Sequence, residues 1–444
     1  MDESGNSTAA NLPDMRAHWL PFTDNRDFKA QPRLFARADG AYYWDMQDRK
    51  ILDGCSGLFN VAAGHGRKEI AEAVHRQLID LDYAPSFQRS HPSSFAAANA
   101  IKRLTPEGLD RIFFCNSGSE AVDTGIKIAL QYHLARGQGQ RNMLVSRERA
   151  YHGVNMGGTS LAGLVRNRDA FGLTLPGVVH MRHTWREDNR YGMGEGENGG
   201  EDLADDLARF VGLYGGERIA ACFVEPIAGS TGVLVPPKGY LKRLREICSE
   251  NGILLVFDEV ICGFGRTGAA FAADSLGVIP DMIAMAKALT NGAQPMGAVA
   301  VSDEIHDTIV EAAGADSIEF FHGYTYSAHP AACAAAIATA EIYEREELFS
   351  KAAALSDFFL EGMASLSTLP AVTDVRGYGL LAGIDLRAEG KTGAAGDRLQ
   401  KRLFDTGLHV KATGDSIILA PPLICTREEI GTIVDCLAET LKAF

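Results

Sequence analysis

The 444-residue sequence lacks most marks of a specialised environment. Its eight cysteines form no C-x-x-C pair, and several sit in apolar runs such as Ala221-Cys222-Phe223. They read as buried thiols of a reducing compartment rather than a disulfide framework. The twelve histidines show no metal-ligand spacing, so no metal is expected. No uncharged apolar stretch reaches the ~20 residues that a membrane span needs. The opening Met1-Asp2-Glu3-Ser4-Gly5-Asn6-Ser7 is acidic and polar, without the basic start and apolar core of a secretory signal. Positive charge is also in deficit. Lysine and arginine total 43 against 57 acids, a net charge of −14 that repels phosphate backbones. The expectation is a cytoplasmic protein with no nucleic-acid and no membrane partner.

What is present is a pattern of strands and helices. Residues 1–17 read as a loose arm, followed by short strand-like pieces such as Ala41-Tyr42-Tyr43-Trp44-Asp45. Helical spacing begins near Arg67, with Ile70, Val74, Leu78 and Leu81 recurring at three and four. Apolar runs then alternate with helices: Ile112–Cys115, Ile219–Val224, Ile253–Phe257 and Met282–Ala286. Unbroken runs of this kind are strands buried on both faces of a mostly parallel sheet. Past Tyr326 the pattern changes to an Ala-rich helix over 331–343, another over 351–366, and later strands. The expected division is an N-terminal segment, 1–65, joining a smaller α+β domain, 328–444, beside a large α/β domain, 66–327. The glycine-rich, charged stretch from Asp188 to Glu201 reads as an exposed excursion without chemistry.

Polar groups stand at the carboxyl ends of the apolar runs, where open α/β sheets bind ligands. Lys287 follows Met282–Ala286 and enters the turn Leu289-Thr290-Asn291-Gly292. Alone it reads as a strand-end lysine reaching water; a buried ammonium would shift its pKa down or form a covalent bond. Asp258 ends Ile253–Phe257, with Glu259 next. Successive strand side chains point to opposite faces, so the two acids diverge. Alone Asp258 reads as a cap or surface acid; opposite Lys287 it becomes a carboxylate aimed at a buried cation. The distance between them in sequence suits one strand–helix–strand step.

Ser117-Gly118-Ser119-Glu120 follows a strand and opens a helix. It is either a Ser-capped helix or an anion cradle at the positive helix end. Tyr151-His152-Gly153 sets an aromatic face beside a turn, or is ordinary core. Each signal is modest by itself. Together they meet the demand of pyridoxal 5′-phosphate: a lysine for a Schiff base, a carboxylate for the pyridinium nitrogen, a phosphate cup and a flat neighbour.

With those residues in place, the chain resembles the class III (ω-) aminotransferases of fold type I, and among them the ω-amino acid–pyruvate (β-alanine–pyruvate) transaminases. The resemblance runs from about His18 to the end. It is carried by Asn116–Glu120, Tyr151-His152-Gly153-Val154-Asn155, Val224-Glu225-Pro226 and Phe257-Asp258-Glu259-Val260. Gly263-Phe264-Gly265-Arg266-Thr267-Gly268, Ala286-Lys287 and His322–Pro330 complete it. It implies a fold type I PLP-dependent transferase, with a mostly parallel seven-stranded sheet in the large domain. It implies that Lys287 carries the cofactor and shuttles the proton, and that Asp258 holds the pyridinium proton. Ser117, Gly118 and Ser119 would take the phosphate, Tyr151 and Val260 the two ring faces, and His152 and Glu225 the cofactor's surroundings. Thr325 resembles a phosphate ligand that reaches the partner's site, so a homodimer or tetramer with shared sites is implied.

Two positions depart from that subgroup. Lys411, in Val410-Lys411-Ala412-Thr413-Gly414-Asp415, stands where the subgroup has a carboxylate-binding arginine, and a lysine is a point charge rather than a fork. Phe59 stands where the subgroup typically has a tryptophan against the substrate, with Tyr151 on another side. Arg89 is a nearby cation able to compensate for Lys411. The expected activity is ping-pong transfer of an amino group from a β-alanine-like donor or amine to pyruvate or a similar keto acid. The alternatives are an aminomutase or decarboxylating enzyme on the same scaffold, a nicotinamide oxidoreductase, or a silent binding protein. Gly263-x-Gly265-x-x-Gly268 matches a dinucleotide fingerprint formally, but Asp258-Glu259 intervenes and Asp281 starts an apolar run instead of ending one.

Overall fold

The computed structural model describes residues 13–172, 174–388 and 390–444, so most of the expected arm, residues 1–12, lies outside the described residues. The long apolar runs assemble into one seven-stranded sheet: β1 (Arg111–Cys115), β2 (Met143–Arg147), β3 (Val178–Met181), β4 (Ile219–Val224), β5 (Leu254–Asp258), β6 (Met282–Met285) and β7 (Gly297–Val301). The spatial order is β1-β7-β6-β5-β4-β2-β3. β7 is antiparallel to both neighbours, and the other pairings are parallel.

The reason for unbroken apolar runs is visible in β4 and β5. Cys222 and Val224, with Leu255 and Phe257, enter the core on one face; Ala221 and Phe223, with Leu254 and Val256, enter the core on the other. Each fully buried Leu or Phe contributes ~1.5–3 kcal/mol, so every position along these strands favours burial. The carboxyl ends of β2, β4, β5 and β6 therefore open onto one edge, and that edge carries the polar residues.

The N-terminal strands Phe35–Asp39, Tyr42–Asp45 and Lys50–Asp53 form an antiparallel ribbon, and Lys50–Asp53 pairs in parallel with Leu408–His409. Start and end of the chain thus share a sheet. A third sheet, of Val372–Tyr378, Leu381–Leu386, Ser416–Leu419 and Lys411–Thr413, completes the smaller α+β part. Helix Pro330–Arg345 links the parts by lying against Lys68–Asp80 and Pro92–Lys102.

The 188–201 stretch differs from its sequence reading as a free excursion. Trp185 Nε1 donates to Asp374 Oδ2 (2.8 Å), the Tyr191 N–H donates to Asp374 Oδ1 (2.8 Å), and Met193 bridges Gly377. The segment straps the large sheet's connections onto the strand Val372–Tyr378. A buried Asp374 needs donors, and no local sequence signal announces a partner so distant in the chain.

Candidate active site

β5 and β6 are parallel neighbours in which Asp258 pairs with Ala284. The chain leaving β6 turns at once into a 3₁₀ segment, Lys287–Thr290, and sets Lys287 beside Asp258. Lys287 holds φ 51°, a left-handed conformation that costs a lysine free energy and is typical of functional positions. β4 lies on the other side of β5, with Val224 paired to Phe257, so Glu225 and Asp258 leave adjacent strands side by side. Lys287, Asp258, Glu225, Gly118, Ser119, Tyr151, His152 and Val260 all line one cavity of about 130 Å3. Gly153 and Ile261 complete its wall, and neither was assigned a role from sequence. An apolar Ile261 following an acid-rich turn carries no signal of its own.

Strand alternation separates Asp258 from Glu259 as anticipated. Glu259 is buried away from the cavity and accepts the N–H groups of Ala272 (2.6 Å) and Ala273 (2.8 Å), capping the short helix Ala272–Ser275. Asp258 accepts from the backbone N–H of Val260 (3.1 Å) and pairs with His152 Nδ1 (2.8 Å). His152 is fully buried, and among the described residues its Nε2 has no hydrogen-bond partner. The pairing with Asp258 is a function that Tyr151-His152-Gly153 did not reveal, because the contact spans more than a hundred residues.

Burial pushes the Lys287 amine below the usual ammonium range, against the opposing pull of Asp258 and Glu225; the charge of Lys411 pushes it down further. Burial raises Glu225 to about 7, with Asp258 adding to the rise and His152 and Arg147 opposing it. Tyr151 is raised by burial and then by the two carboxylates, so its hydroxyl keeps its proton.

At the helix start, the Ser-Gly-Ser-Glu tetrapeptide is a Ser-capped helix whose first turn lines the cavity. Ser117 caps helix Gly118–Ala135 by accepting from the Glu120 N–H (3.2 Å), so its hydroxyl faces the helix start and it does not line the cavity. Gly118 and Ser119 occupy the first turn, where amides have no intrahelical acceptor. The Ser119 hydroxyl accepts from the Val154 N–H (3.1 Å), leaving its own hydrogen to donate. Close backbone approach is obligatory here. A Cβ on Gly118 would stand 2.9 Å from Val260 Cγ1, and one on Gly153 would stand 2.5 Å from Ser119 Oγ.

Phe59 is buried, and its ring centroid lies 5.9 Å from Lys287 Nζ. Lys411 sits half-buried on its strand, its amine depressed by burial, with Nζ 3.5 Å from the Ala412 carbonyl. Arg89 and Thr325 are not brought to this cavity within the chain. Both are exposed, and their loops pack together: Tyr83 donates to the Thr325 carbonyl (3.0 Å), and Ser86 donates to the Ser327 carbonyl. The Gly263–Gly268 glycines serve packing rather than a dinucleotide. A Cβ on Gly265 would meet Leu423 Cδ1 at 2.5 Å, and one on Gly268 would meet Ala353 Cβ at 3.0 Å. Arg266 between them is fully buried and donates to the Ala420 carbonyl at 3.1 Å.

A lysine, a carboxylate and a helix N-terminus therefore converge on one small cavity. The donor set fits the aldehyde, ring nitrogen and phosphate of pyridoxal 5′-phosphate. The family model described as aminotransferase class-III matches residues 24–441. The chain belongs to the class-III aminotransferases. It is 51% identical over 430 residues to an omega-aminotransferase of Caulobacter vibrioides, covering 96% of this chain and 98% of that protein. It is 43% identical to an omega-amino acid–pyruvate aminotransferase of Pseudomonas putida, covering 100% and 99%. Among solved structures it resembles the omega transaminase of Pseudomonas jessenii in complex with PMP (TM-score 0.90, 32% identity, 96% of each chain). It likewise resembles an (S)-enantioselective omega-transaminase of Thermomicrobium roseum (TM-score 0.89, 35% identity, 96% of each chain). Class-III aminotransferases depend on pyridoxal phosphate, and this aminotransferase holds the side chains that such a cofactor requires. Among the described residues no helix is long and apolar enough to cross a membrane.

Proposed function

We propose that this aminotransferase moves the amino group of an ω-amino acid or amine, β-alanine-like in chemistry, to pyruvate or a similar keto acid in a ping-pong cycle. The observation that carries the reading is the convergence of Lys287, Asp258 and the Gly118-Ser119 helix start on one buried cavity.

When bound, pyridoxal phosphate supplies an electron sink that lets the amine's Cα proton leave. Asp258, supported by His152 and the Val260 N–H, would hold the proton of the ring nitrogen. The amides of Gly118 and Ser119 and the Ser119 hydroxyl cradle the phosphate, with Ser117 fixing the start of the helix. Tyr151 and Val260, both lining the cavity, would hold the ring between them. Lys287, its amine held below the usual ammonium range by burial, would take the Cα proton and deliver it to the cofactor carbon two atoms further along. Lys411 meets the carboxylate of the acceptor, and Phe59 sets how bulky the donor side can be.

The reading takes residues 66–327 as the cofactor-binding domain and 328–444, with the 1–65 segment, as the smaller one. The pairing of Lys50–Asp53 with Leu408–His409 supports that grouping. It also places the enzyme in the cytoplasm as a homodimer, or a tetramer built from it, with shared sites. Thr325 and Arg89 stand on adjoining exposed loops, beside a groove of about 1020 Å3 that includes Phe87 and Phe321. Those two rings are 59% and 85% exposed, and a second copy would cover them. In that dimer Thr325 and Arg89 serve the partner's site.

The test is a half-reaction screen. Purified holoenzyme is mixed with β-alanine, diamines, γ-aminobutyrate, taurine and arylalkylamines, and loss of the cofactor's visible absorbance is followed. Conversion by at least one ω-amino donor, reversed by pyruvate, supports the reading. Evolution of carbon dioxide, or turnover without any keto acid, would replace it with a decarboxylating enzyme or an aminomutase.

A further inference from the structure

Glu225 and Asp258 stand at the carboxyl ends of adjacent parallel strands and line the same buried cavity. Adjacent strands lie ~4.8 Å apart, so two ionised carboxylates here repel strongly in a medium of low dielectric. The surroundings of the two acids are unequal. Asp258 receives His152 Nδ1 at 2.8 Å and the Val260 N–H at 3.1 Å, one on each oxygen. Among the described residues Glu225 receives a single neutral donor, the Tyr151 N–H to Oε1 at 3.1 Å. Where two buried acids compete, the better-solvated one ionises and the other keeps the proton.

The groups facing Glu225 come from every neighbouring element. From β2 and the turn after it come Arg147, which donates Nη2 to the Glu225 backbone carbonyl (2.9 Å), Tyr151 and His152. From β5 and beyond come Asp258 and Cys262, and from the end of β6 comes Lys287. Arg147, His152 and Lys287 favour the carboxylate; burial and Asp258 favour the acid.

The remaining cavity groups already have tasks. Lys287 serves the aldehyde carbon, Asp258 the ring nitrogen, the helix start the phosphate, and Tyr151 and Val260 the ring faces. The cofactor's phenolic oxygen is the polar atom left over, and it is an acceptor. We propose that Glu225 is held as a neutral carboxylic acid and donates its hydrogen to that oxygen, while Asp258 alone stays ionised. The inference rests on the proposed function and adds a cofactor-tuning role for Glu225.

The test uses the enzyme loaded with pyridoxamine 5′-phosphate, which binds without a covalent link. Infrared difference spectra between wild type and Glu225→Gln should contain the carbonyl stretch of a protonated carboxylic acid, shifted in heavy water. In wild type that band should persist at neutral pH and fade as pH rises well above 7. Glu225→Gln, which can still donate, should bind pyridoxamine phosphate within about threefold of wild type, and Glu225→Ala about tenfold or more weakly. A missing acid band in wild type at neutral pH, or equal losses in the Gln and Ala variants, would overturn this inference alone. Failure of wild type to bind pyridoxamine phosphate would overturn the cofactor reading, and this inference with it.

Discussion

The Lys287 amine lies 5.9 Å from the Phe59 ring centroid, and both residues hold positive φ, 51° and 66°. The strained turn at Ser56–Phe59 aims a buried ring at Lys287. In the proposed function, shrinking that ring enlarges the donor side of the pocket without touching the lysine. Phe59→Ala is expected to raise kcat/KM for a bulky arylalkylamine about tenfold relative to β-alanine, and Phe59→Trp to lower it. Steady-state kinetics with the two donors check the ratio.

The depressed Lys287 amine fixes the pH profile. In the proposed function its neutral form is the base, so the rate of Cα deprotonation should rise with pH and level off below the ordinary lysine value of 10.5. The sign for stability follows. The unfolded chain binds the Lys287 proton more tightly than the folded apoprotein does. Between the depressed value and 10.5, this group therefore adds stability as pH rises. A single-turnover pH series reads the first effect. Denaturant unfolding of the apoprotein, compared with Lys287→Met, reads the second.

Lys411 is a half-buried cation on the Lys287 side of the C-terminal sheet. If it meets the acceptor's carboxylate, Lys411→Ala should raise KM for pyruvate about tenfold and leave an aldehyde acceptor, which has no carboxylate, within about twofold. Equal effects on both acceptors would assign Lys411 to packing. Arg89→Ala, assayed in the same pair, separates a carboxylate contact across subunits from none.

Arg376 ties the loop after Glu225 to the smaller part of the fold. It is buried, pairs with Asp374 at 2.7 Å and with both oxygens of Asp385 at 2.9 and 2.8 Å, and donates Nε to the Gly232 carbonyl at 2.7 Å. Arg376→Met leaves two acids without their cation in a dry setting. A loss of ~3–5 kcal/mol is expected from denaturant unfolding.

The fold was legible where burial dictates the residue at every position. Ile219–Val224 and Ile253–Phe257 are apolar throughout because both faces of the sheet are covered, and the acid that ends each run marks the functional edge. Alternation correctly separated Asp258 from Glu259. Contacts set by tertiary approach left no local trace. His152 bonded to Asp258, Trp185 on Asp374, and the Gly265 and Gly268 approaches to Leu423 and Ala353 each join segments far apart in sequence. Thr325 was assigned by resemblance, and Arg89 as a nearby cation able to compensate for Lys411. Within one chain they lie on exposed loops away from the cavity, and the role proposed for each rests on a second subunit.

The most direct test of the central claim is reduction of the holoenzyme with borohydride followed by peptide mapping. The account predicts one pyridoxyl-phosphate adduct, on the peptide that contains Lys287, and none in Lys287→Ala. An adduct on a different lysine of the wild type, or no adduct at all, would contradict it.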